Sequence, residues 1–101
     1  MTHTQKAENL LALTQKALQS AQKADWDAAQ QLEELRQQAA RDLFSTPVPD
    51  DEVPTVRECV EKVFEFNRDL VRLGRSERQA VVTAMNKLRK GTAARQAYQV
   101  R

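Results

Sequence analysis

The stretch KADWDAAQQLEELRQQA, Lys23 to Ala39, holds the chain's one tryptophan between two aspartates, at what reads as the junction of two polar, alanine-rich helices. Asp25 is placed to cap the second of them, since its carboxylate can accept from the free N–H groups of a first helical turn. Asp27 adds negative charge at the positive end of the helix dipole. From Trp26 onward, Ala29, Leu32, Leu35 or Arg36, Ala39 and Leu43 recur every three or four residues, which predicts a helix over about 25–45. Upstream, Ala7, Leu10, Leu11, Thr14, Ala17, Leu18 and Ala21 have the same period and predict a helix over about 4–23. A junction as short as this folds two such helices into an antiparallel hairpin. Trp26 then stands at the end of the hairpin as a lid on its core.

Downstream, STPVPDDEVP, Ser45 to Pro54, contains all three prolines and an acidic triplet. Proline lacks a backbone donor and disfavours helix in the residue before it, so this is the one clear loop. TVRE follows, and Thr55 with Glu58 has the spacing of a capping box. A third helix is expected from about 55 to 90, closed by Gly91, with 91–101 as a short tail for which a helical form is the alternative. Its apolar phase runs through Val56, Cys59 or Val60, Val63, Phe66 or Asn67 and Leu70, and holds across Gly74. The alternative is a break at Gly74, with SERQ from Ser76 as a second capping box. An unbroken helix would be about 54 Å long against about 30 Å for each hairpin helix. Its far end would have to bend back, pair with a second copy or meet a partner.

With 101 residues, 41% hydrophobic and 30% charged, only two glycines and five aromatic residues, the chain reads as one all-α domain over 1–101, a hairpin plus a long third helix in a three-helix bundle. One cysteine, Cys59, excludes an intramolecular disulfide, and one histidine leaves no metal set; no cofactor is expected. Cys59 lies on the apolar stripe and reads as a small core residue. No phosphate-binding loop, nucleophile elbow or positioned general base is present, so no catalytic residue is assigned and the protein is not expected to be an enzyme. The N-terminus lacks a signal-peptide core and no segment is apolar enough to cross a membrane, which predicts a cytoplasmic protein without membrane insertion.

Charge is unevenly spread. Residues 1–66 carry seven Lys or Arg against twelve Asp or Glu, whereas residues 67–101 carry nine against two. Phosphate contacts by this basic third would suit nucleic acid. Tyr98 is the one aromatic near it, however, and no recognition motif accompanies it, so no nucleic acid is expected.

The third helix has more large apolar residues than one stripe needs. Val56, Cys59, Val63, Phe66 and Leu70 can face the hairpin, while Val60, Phe64 and Val71 fall on a neighbouring line continued by Arg68 and Arg75 and later Val82. Such a line suits a partner helix of mixed apolar and acidic character. A thicker three-helix core or a homodimer seam are the competing readings.

ADWDAAQQLEELRQQAARDLF, Ala24 to Phe44, resembles the signature of the FliT family of flagellar export chaperones, in which a Gly-Glu-Trp-Asp turn leads into a Leu- and Glu-rich helix. Trp26 and Asp27 match that turn, and Ala24 and Asp25 replace its Gly-Glu. FNRDLVRLGRSERQAVVTAMNKLRKGTAARQAY is similar to the family's long third helix, with Asn67, Leu70, Leu88, Gly91, Ala97 and Tyr98 at the matching places. The likeness spans Leu10 to Tyr98. It implies an antiparallel helical bundle that binds the C-terminal segment of the filament-cap protein, hook-associated protein 2, blocks its premature polymerisation and presents it to the export ATPase complex. Regulation of a flagellar transcription factor, or service to a hook-junction protein, are the alternatives it leaves. Better-known members continue into a fourth helix that covers the binding surface; with Arg101 three residues after Tyr98, that helix and its autoinhibition are not expected here. Val60, Phe64, Arg68, Val71, Arg72 and Arg75 are the expected partner-binding residues, and Asp25, Trp26, Thr55 and Glu58 the structural ones.

Overall fold

A computed structural model describes the backbone of residues 1–99 and the side chains of residues 1–88. Three helices follow one another: α1, His3–Gln22; α2, Trp26–Phe44; and α3, Val53–Gln99. The fold is all-α, a hairpin of α1 and α2 with the long α3 laid along α1.

α1 opens on a capping box formed by Thr2 and Gln5. Gln5 N–H donates to Thr2 Oγ1 at 3.1 Å, and Thr2 N–H donates back to Gln5 Oε1 at 3.0 Å. At its other end the Ala24 N–H donates to the Ala21 carbonyl and the Asp25 N–H to the Ser20 carbonyl, at 3.0 and 2.9 Å. This paired closure of the last turn requires a left-handed residue, and Ala24 supplies it with φ 60°. The chain reverses at once: Asp25 is the N-cap of α2, its Oδ1 accepting from Ala28 N–H at 3.2 Å. Trp26, the first residue of α2, is half-buried.

α3 begins earlier than the TVRE pattern suggests. The Glu52 carbonyl accepts from Val56 N–H at 3.0 Å, so Val53 and Pro54 already belong to the first turn. Proline is accommodated there because a first-turn residue has no helical acceptor for the donor it lacks. Thr55 and Glu58 therefore form no capping box; Thr55 is exposed inside the helix, and Glu58 approaches Lys62 Nζ at 3.5 Å instead. The far end also departs from expectation. The helix runs unbroken through Gly74 and through Gly91 to Gln99, so Gly91 is not a cap and 91–99, helical as the alternative had it, continues α3 rather than forming a separate tail. One glycine costs about 1 kcal/mol in a helix interior, which the Ala-, Arg- and Gln-rich sequence after it can offset. Residues 100 and 101 of the expected tail lie outside the described residues.

The main core lies at the α1 N-terminal end, where Ala7 and Leu10 meet Ala39 and Leu43 of α2 and Val56, Cys59 and Val63 of α3. Toward the hairpin turn it narrows to Thr14, Ala17, Leu18 and Ala21 against Ala29. Thr14 is fully buried yet satisfied, its hydroxyl donating to the Leu10 carbonyl at 2.8 Å. A polar clasp closes the base of the bundle. His3 Nε2 lies 3.0 Å from Thr46 Oγ1, and the Thr4 N–H donates to Glu52 Oε1 at 3.1 Å, tying the start of α1 to both ends of the proline loop. From Gln79 to Leu88 every α3 side chain is exposed, so the helix outruns the hairpin and does not bend back onto it.

Candidate functional site

α1 touches both other helices, whereas no Cα of α2 comes within 8 Å of one of α3 among the described residues. α1 therefore acts as a wedge, and the side opposite it is left as a groove between α2 and α3. Two helices running in opposite directions form its walls.

One end of the groove is apolar. Leu10 of α1 forms its floor, Ala40 and Phe44 come from α2, and Val60 and Phe64 come from α3. Phe44 and Phe64 are 62% and 60% exposed, a large apolar surface to leave in water on so small a chain. The local reason is helical phase. Leu43 and Val63 occupy the core-facing lines, so Phe44 and Phe64, each one residue later, are rotated about 100° toward the open side.

Midway, Arg36 spans the groove. Its guanidinium makes a two-pronged contact with Glu33, at 3.0 Å from Nε and 2.9 Å from Nη2, and Nη2 also donates to Asn67 Oδ1 of α3 at 2.9 Å. At the position where the α2 pattern left Leu35 or Arg36 open, Arg36 turns inward with 14% of its side chain exposed, while Leu35 is 56% exposed. Beyond Arg36 the groove continues along Leu70, Val71, Gly74, Arg75 and Arg78. A methyl at Gly74 would meet nothing within 4 Å, which leaves this stretch of wall low and open.

Four of the six expected partner-binding residues line this groove: Val60 and Phe64 at its apolar end, Val71 and Arg75 at its basic end. Arg68 and Arg72 do not. With Val71 and Arg75 they border a shallow depression on the outer flank of α3. The α2 wall, Arg36, Ala40 and Phe44, is absent from the expected set. Phe44 carried a signal, being a large aromatic residue one step off the α2 stripe. Arg36 and Ala40 carried none, because their role depends on how far α2 stands from α3.

Cys59 sits behind the groove in the core, and burial, reinforced by the nearby Glu8 carboxylate, pushes its thiol pKa up. Among the described residues no cluster of His, Cys, Asp and Glu could hold a metal ion, and no helix is long and apolar enough to cross a membrane. Residues 4–100 match the FliT family, described as "Flagellar protein FliT". No curated protein and no solved structure shows detectable similarity to the chain.

Proposed function

Because the chain belongs to the FliT family of flagellar export chaperones, we propose that its α2–α3 groove receives the C-terminal segment of the flagellar filament-cap protein, hook-associated protein 2. The apolar end buries the hydrophobic face of a cargo helix between Phe44 and Phe64. Covering that face keeps the cap protein from polymerising before secretion and leaves it in a form that the export ATPase complex can accept. The single observation that supports this reading is the open groove itself. It is long, apolar at one end and walled by two helices, the form in which amphipathic helices are commonly held.

Co-purification with the cap protein's C-terminal segment, followed by light scattering on the eluted species, tests the proposal. A one-to-one complex that is lost in Phe64→Glu, with helicity retained, is the expected result. Separate elution at high micromolar concentration would overturn the choice of cargo and turn attention to a hook-junction protein or a transcriptional regulator.

A further inference from the structure

The groove is electrostatically polar along its length. Its apolar end is lined by one cation and one anion, Arg36 and Glu33, which are paired with each other. Its other end adds Arg75 and Arg78 with no further anion, and neither arginine forms an ion pair among the described residues. From Val60 to Arg78 along α3 is about 27 Å, which matches a helix of about 18 residues. A bound helix is itself polar, with roughly half a negative charge at its C-terminal end and half a positive charge at its N-terminal end. One direction of insertion places the negative end against two unpaired guanidinium groups. The opposite direction sets free N–H groups against them.

We infer that the cargo helix lies parallel to α3 and antiparallel to α2, with its C-terminal end, and the chain-terminal carboxylate where the helix reaches it, held by Arg75 and Arg78. This rests on the reading of the groove as the cargo site and assigns the direction in which cargo enters it. Arginine suits the role because its planar fork can hold a carboxylate through two parallel bonds while the apolar contacts at Phe44 and Phe64 remain undisturbed. The two arginines share the groove wall with Gly74, whose missing side chain leaves room for a helix end to approach.

The test uses a synthetic peptide of the last twenty or so residues of the cap protein, prepared as the free acid and as the C-terminal amide, against the full chain. Amidation is expected to weaken binding about fivefold at low salt, and to have no effect on binding to the Arg75→Ala/Arg78→Ala variant. A photo-crosslinker at the peptide's last residue is expected to mark α3 near Arg78, and one at its first residue to mark α2 near Phe44. Crosslinks in the reverse order, or an amidation effect that survives in the double variant, would overturn the direction while leaving the cargo assignment standing. Failure of both peptides to bind would overturn the cargo assignment and this inference with it.

Discussion

Arg36 and Asn67 are joined by a 2.9 Å hydrogen bond that links α2 to α3 where their backbones stand apart. The bond is charge-assisted, and the same guanidinium is held from below by Glu33. It fixes the width of the groove at the point where its apolar and basic halves meet.

Removing this strut should loosen the bundle. Asn67→Ala is expected to lower stability by about 1 kcal/mol, and a double-mutant cycle with Arg36→Met to return a coupling of similar size by chemical denaturation. Additive effects would show that the two groups do not cooperate in solution.

Ala24 holds a left-handed conformation, φ 60°, that glycine adopts without strain. Ala24→Gly should therefore raise stability by about 1 kcal/mol, read as a higher melting temperature. The FliT-like turn pattern has glycine at this place, so replacement by alanine, mild by capping preference alone, is a local departure from optimal geometry. An unchanged or lower melting temperature would mean that the turn relaxes.

The hairpin and the long third helix were legible in sequence because apolar spacing and proline punctuation report directly on helix phase and limits. Thr55 misled because a capping box is a local pattern, while the true start of α3 is set by Glu52, whose carboxylate binds Thr4, 48 residues away. Gly91 misled for a related reason: a glycine ends a helix only when the backbone turns left-handed there, and α3 continues past it. On the α3 wall of the groove, the surplus of apolar residues was visible as a second line. The α2 wall was hidden, since nothing in residues 33–44 states that α1 will hold α2 away from α3.

Glu52 titrates below the ordinary carboxylate value, chiefly because the Thr4 backbone N–H donates to it, with His3 adding a favourable charge. A depressed folded value means that this contribution is present at neutral pH and is lost as pH falls through that value. The melting temperature should accordingly drop more steeply on acidification in the native chain than in Glu52→Gln, which lacks the titrating group. Parallel curves for the two proteins would refute a role for the clasp.

Cys59 should resist thiol reagents. Its burial and raised pKa leave little thiolate at neutral pH, so modification by a colourimetric disulfide should proceed only as fast as the chain unfolds. Rapid labelling under native conditions would show that the core opens at α3.

The overrun of α3 beyond the hairpin also governs how the protein travels. The molecule measures 77 × 21 × 19 Å, and its radius of gyration is 20.6 Å, against about 13 Å for a compact domain of this length. A single chain of this outline meets as much hydrodynamic drag as a compact particle of considerably greater mass. On a sieving column a monomer would elute early enough to pass for a dimer, and its tumbling in solution would be strongly anisotropic.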